Sequence, residues 1–219
     1  MRKVLVVAAG AVVIAAVIVV GVRSLAQPYG YGPGYGMMGG YGWGGGYGPG
    51  WMMRGYGGGY LEAAVAVSSK FIPSGPIVSV ESRASNITTL EADDTAIPPM
   101  PLVVLVDRYT ASASEITSGA IQDSSVGTIM GERTFGKGVV QTIYPLPDGS
   151  AVKITTARYL TPRNRDINHL GITPDVVVAE NKGAQFGNPA KDDQLTRAMQ
   201  FINAKLAQLQ EENGTTGGQ

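Results

Sequence analysis

Cysteine is absent from this 219-residue chain, and histidine occurs once, at position 169. The first absence excludes a disulfide framework, a thiolate metal site and a cysteine nucleophile, and it fits any redox compartment. The second leaves any serine-histidine-aspartate triad resting on His169 alone, in a plain Asn-His-Leu-Gly context that reads as a loop. Net charge is lacking too: 17 basic residues balance 17 acidic ones, so there is no electrostatic footprint for nucleic acid. The 31 glycines are plentiful but unevenly spread, concentrated in one segment. Without that segment and the leader, about 160 residues remain, enough for one domain with a real core.

The leader begins with Arg2 and Lys3, followed by an apolar run from Val4 to Val22 that Arg23 closes. Basic residues ahead of an apolar run address a chain to the membrane. The run is close to the roughly 20 residues a bilayer-spanning helix needs and longer than the about 7 to 15 of a cleaved signal. Ser24-Leu25-Ala26 nevertheless fits a small-x-small cleavage site before Gln27. Residues 1–26 are expected to be a signal peptide or membrane anchor, leaving the remainder on the extracytoplasmic side with the membrane as a partner. Residues 27–56 alternate glycine with tyrosine, proline, methionine and tryptophan, too entropic to order and without an aliphatic set for a core. They are expected to be a disordered linker. Met37-Met38 and Met52-Met53 offer thioethers that suit Cu(I), but no histidine or cysteine joins them, and no cofactor is expected.

The chemistry lies further on. Pro101 to Val106 (PLVVLV) reads as a buried strand, and Ala113 to Asp123 (ASEITSGAIQD) has helical apolar spacing, so Ser112 stands where a strand becomes a helix. Unpaired N–H groups and the positive dipole end at a helix start stabilise an oxyanion, which suits a nucleophile. With histidine scarce, the remaining base is Lys137, flanked by Gly136 and Gly138 so that backbone and ligand can approach closely. A lysine base must be neutral, and a free lysine amine with a pKa of about 10.4 is neutral in only about one molecule in 10³ at pH 7. A desolvated setting shifts that balance, and Phe135, Val139 and Val140 are its apolar neighbours in sequence. The bland alternatives are a helix cap for Ser112 and a solvated turn lysine for Lys137. Ser114 is the rival nucleophile and the expected helix cap, with Glu115 in the first turn.

Strands alternating with helices argue for an α/β core. Leu61 to Phe71 reads as an amphipathic helix, Ile72 to Val80 as a turn and strand, and 81–97 as a surface loop or hairpin. Val126 to Met130 reads as a short strand, Ile143 to Leu146 and Ala151 to Tyr159 as a hairpin around Asp148-Gly149, and Val176 to Val178 as a last strand. A helix is expected over 192–210, with a fraying end beyond it.

VDRYTASASEI, GERTFGKGVVQT, DGSAVKITTARYLTP and GITPDVVV resemble, in order and spacing, the carboxyl-terminal processing (tail-specific) serine peptidases. The resemblance implies a crotonase/ClpP-like peptidase core over residues 57–182, followed by a C-terminal helix and tail over 183–219. It implies a nucleophile at Ser112, a base at Lys137, 25 residues on (112 to 137), and an orienting glutamine at Gln141. RGYGGGYL (54–61) resembles the family's glycine loop, which implies an oxyanion hole of Gly58, or its neighbour Gly57, with the amide of Ala113; Asp123 matches a supporting acid. Family members usually carry a PDZ domain, a first core strand and a first core helix before that loop. Here the leader and glycine tract stand in that place, so the chain reads as a truncated member with a partial core. The expected function is Ser-Lys(-Gln) endopeptidase action on C-terminal segments of protein or peptide substrates. The alternative is an inactive remnant that acts as a membrane-tethered scaffold.

Overall fold

The computed structural model describes residues 3–8, 11–19, 59–181, 183–184, 188 and 190–216. Nine strands and three helices occur among them: β1 (Lys3–Ala8), β2 (Ala11–Val19), α1 (Leu61–Ser68), β3 (Pro76–Ser82), β4 (Ile87–Glu91), β5 (Leu102–Val106), α2 (Ala113–Asp123), β6 (Thr128–Gly131), β7 (Val139–Pro145), β8 (Ala151–Leu160), β9 (Val176–Val177) and α3 (Asp193–Thr216). They form two sheets. The first has the order β1-β2-β5-β6-β9, with β2, β5, β6 and β9 parallel and β1 antiparallel to β2. The second is antiparallel throughout, in the order β4-β3-β8-β7.

β5 is the centre. All five of its residues are buried, as a Val/Leu run covered on both faces requires. Leu102, Val104 and Val106 face a core shared with Ile116, Ala120 and Ile121 of α2, Ile77 and Val78 of β3, and Ala64 of α1. Val103 and Leu105 point the other way, onto Met130 and the Ala198, Ile202 and Leu206 stripe of α3. That stripe has the three- and four-residue spacing of one helical face. The helix continues through the expected fraying region to Thr216, with no proline to stop it.

Two expectations change. Within 1–26, the described stretches are the strands β1 and β2, not a helix, and β2 pairs with β5 from Ala16 opposite Leu102 to Val19 opposite Leu105. A continuous apolar run suits a buried strand as well as a helix, and its many valines and isoleucines favour extended backbone. Among the described residues no helix is long and apolar enough to cross a membrane. β2 therefore stands beside β5, where the sequence lacked a first core strand. The second change is β7, which starts at Val139, four residues before the expected hairpin strand, immediately after the Lys137 loop. The linker expected over 27–56, with its two methionine pairs, lies outside the described residues.

Candidate active site

The end of β5 sets the position of Ser112. Asp107 follows it and closes a tight turn, its Oδ1 accepting the N–H groups of Tyr109 at 2.9 Å and Thr110 at 2.8 Å and the Thr110 hydroxyl at 3.0 Å. A short carboxylate is suited to this, since it reaches backbone donors two and three residues on. Ser112 then adopts φ +56° and ψ −120° at the cap position of α2. A non-glycine residue holds such a conformation at a cost of about 1–3 kcal/mol, which persists only where the surroundings over-determine it. The cap is thus Ser112 rather than Ser114, which lies half-buried inside the first turn with its N–H on the Ala111 carbonyl at 3.2 Å. Ala113 is buried beside Ser112, and its amide belongs to the open N-terminal turn of α2.

Glu115 supplies the over-determination. Its side chain is fully buried. Oε2 accepts the backbone N–H of Ser112 at 2.9 Å and that of Lys137 at 2.8 Å; Oε1 accepts the N–H of Gly136 at 2.7 Å and the Thr134 hydroxyl at 2.5 Å. Because two of these donors share one oxygen, the Ser112 and Lys137 nitrogens lie less than about 6 Å apart. A second tie runs from the Phe135 N–H to the Thr110 carbonyl at 2.9 Å. Neither Glu115 nor Thr134 was singled out from sequence as a site residue. The available signal was the Ser-x-x-Glu spacing of a capping box, 112 to 115, whose glutamate reaches back to the cap N–H.

The Lys137 loop leaves β6 at Gly131, whose φ of +135° brings it so close to β5 that an added Cβ would fall 1.9 Å from the Val106 carbonyl oxygen. The segment 167–172 then backs the loop. Thr134 donates its backbone N–H to the Ile172 carbonyl at 3.1 Å, and the Ile172 N–H is accepted by the Thr134 hydroxyl at 2.6 Å. His169, exposed and at φ +60°, donates its N–H to the Gly136 carbonyl at 2.9 Å, a loop histidine as its context implied. A Cβ on Gly138 would fall 2.4 Å from the Asn168 nitrogen, so the close approach these glycines permit is used by the chain's own 167–172 segment. Lys137 is half-buried, and Phe135, expected to help enclose it, is 47% exposed. Among the described residues no hydrogen bond joins the Ser112 hydroxyl or Gln141 to the Lys137 amine.

Gln141 lies on β7 with an exposed side chain. Asp123 is at the far end of α2, about 16 Å along the helix from Ser112 at 1.5 Å per residue. There its carboxylate accepts Arg165 Nη2 at 2.5 Å and the Arg163 N–H at 2.9 Å, which anchors the 161–166 turn. Gly57 and Gly58 lie outside the described residues. Gly59 follows them and abuts the first turn of α2, where an added Cβ would meet the Ala113 Cβ at 3.8 Å. Among the described residues no three histidine, aspartate or glutamate side chains group as metal ligands.

A mixed α/β core that presents a serine at a strained strand-to-helix turn, tied by a buried glutamate to a glycine-flanked lysine, is the architecture of a serine peptidase domain. The model of peptidase family S41 matches residues 53–178, more than half of the chain, and the chain belongs to that family. It is similar to a carboxyl-terminal-processing protease of Synechocystis sp., 39% identical over 157 residues that cover 71% of this chain and 36% of the relative. The chloroplastic C-terminal processing peptidase of Tetradesmus obliquus is 47% identical over 125 residues, 57% of this chain and 27% of the relative. Among solved structures, the photosystem II D1 C-terminal processing protease superposes with a TM-score of 0.54 at 44% identity, covering 58% of this chain and 33% of that one. The chain spans about a third of the length of the curated relatives it matches.

Proposed function

We propose that the chain is a serine-type endopeptidase that hydrolyses peptide bonds near protein C-termini, with Ser112 as nucleophile and Lys137 as base. One observation carries the reading: a single Glu115 oxygen accepts the backbone N–H groups of both residues. The Ser112 hydroxyl attacks the scissile carbonyl, and Lys137, acting from its neutral amine form, takes the hydroxyl proton and gives it to the leaving amine. Water then hydrolyses the acyl-serine by the same route. The Ala113 amide and a glycine amide of the preceding loop, Gly58 or Gly57, hold the oxyanion. Gln141 is the orienter of the lysine amine, a neutral group where a carboxylate would favour the protonated form. Asp123 supports the domain through the 161–166 turn rather than by touching the dyad.

The substrate class rests on the names of the relatives, which are C-terminal processing proteases. The chemistry is tested by a serine-reactive fluorophosphonate and intact mass. One adduct on the wild type, lost in both Ser112→Ala and Lys137→Ala, supports the dyad. A folded wild type that takes no label overturns it.

A further inference from the structure

β7 ends its sheet. Among the described residues it pairs only with β8, on one side. Its first residue, Val139, follows Lys137 by two positions. The direction in which each backbone group points follows from two hydrogen bonds at the ends of the ladder, Tyr159 N–H to the Gly138 carbonyl at 2.7 Å and Leu146 N–H to the Ser150 carbonyl at 2.8 Å. In an antiparallel pair, bonded and non-bonded positions alternate. The one-residue slip in register places the extra residue, Thr156, on β8, so the alternation along β7 is unbroken. Gly138, Val140, Thr142 and Tyr144 therefore turn inward to β8. Val139, Gln141 and Ile143 turn their N–H and C=O groups outward, away from the sheet.

Natural edge strands are guarded by lysine, by inward charge, by proline, by bulges or by shortness. β7 has a proline only at its last residue: its sequence, VVQTIYP, carries no charge over seven residues, and the bulge is on its partner. Only Pro145 lacks a donor, and it closes the strand. The opposite edge of the same sheet, β4, is five residues long and ends in Glu91.

We infer that the outward edge of β7, from Val139 to Ile143, is where an extended stretch of the peptide substrate pairs, so that the substrate enters the sheet as a further strand running up to Lys137. The inference rests on the peptidase reading for the occupant's identity. Backbone pairing gives such an edge its grip without demanding a sequence, while side-chain surroundings at alternate residues of the guest select among peptides. Five residues of edge span about 17 Å at 3.4 Å each, room for a peptide segment of similar length.

The decisive variant is Ile143→Pro, which deletes one outward donor at a position where proline leaves the β7–β8 bonds intact, with Ile143→Ala as the control for side-chain loss. In the full chain, labelling of Ser112 by the small fluorophosphonate is expected to change less than twofold in either variant. kcat/KM for a twelve-residue peptide is expected to fall about tenfold or more in Ile143→Pro alone, chiefly through KM. Binding is read separately, by anisotropy of the same peptide carrying fluorescein at its N-terminus, on Ser112→Ala with and without Ile143→Pro. Binding that weakens about tenfold with the proline supports the edge even if the wild type hydrolyses nothing, which would sink the peptidase reading alone. Binding that is absent, or equal in the two proteins, overturns the edge. A further arm leaves the protein untouched: N-methylation of successive peptide residues should weaken binding with a two-residue period, and a uniform or null response counts against pairing.

Discussion

Taking a carboxylate out of water costs several kcal/mol unless donors replace its hydration. Glu115 has four such donors, two from the α2 turn and the lysine nitrogen and two from Gly136 and Thr134. Glu115→Gln keeps the shape but sets an NH₂ group against N–H donors. We expect it to lower unfolding free energy by about 2–4 kcal/mol in urea titration and to reduce fluorophosphonate labelling of the folded fraction at least tenfold. The placement of Ser112 at the strand-to-helix turn and of Lys137 in a glycine-flanked loop was legible in sequence because the motifs around them are local. Glu115 was not, because three of its donors stand 19, 21 and 22 residues away. Its role is visible only when the two loops are brought together. The same holds for Asp123, whose partner Arg165 is 42 residues on.

At the scale of elements, β5 joins two packing layers, and α3 closes one of them. Ile202 is 6% exposed against Val103 and Leu105, so Ile202→Ala should cost about 2–4 kcal/mol by chemical denaturation. Leu209 on the same helix is 42% exposed, and Leu209→Ala should stay within about 0.5 kcal/mol. On β8, burial first and the Glu62 charge second push the Tyr159 phenol above its usual range. The folded state therefore keeps this proton to higher pH than the unfolded state, whose phenol titrates near pH 10. Its contribution to stability is complete below about pH 10 and is lost as pH rises through the folded value. Tyr159→Phe should flatten the alkaline limb of a stability–pH profile and leave the neutral region little changed. β5, β6, α2 and the hairpin were legible from apolar period and turn residues. The start of β7 was not, since Gly136-Lys137-Gly138 reads as a turn and hides the strand that grows from it.

The whole molecule depends on pairings between distant segments, which no local period reveals. The order β1-β2-β5-β6-β9 joins residues 16–19 to residues 102–105, and the apolar period of the first run is as compatible with a membrane helix as with this strand. Deleting residues 1–20 leaves one side of β5 without its partner. We expect that protein to lose a cooperative thermal transition or to elute as aggregate in size-exclusion chromatography, whereas the full chain unfolds in one step.

The shared Glu115 oxygen also bears on timing. A chain still emerging from the ribosome, or one that has come apart, contains the serine and the lysine but no common acceptor to seat them side by side. On the proposed function, peptide-cutting chemistry is in that sense absent from every unfinished copy. It arises only with completion of the fold, and a copy that is damaged loses it together with its shape.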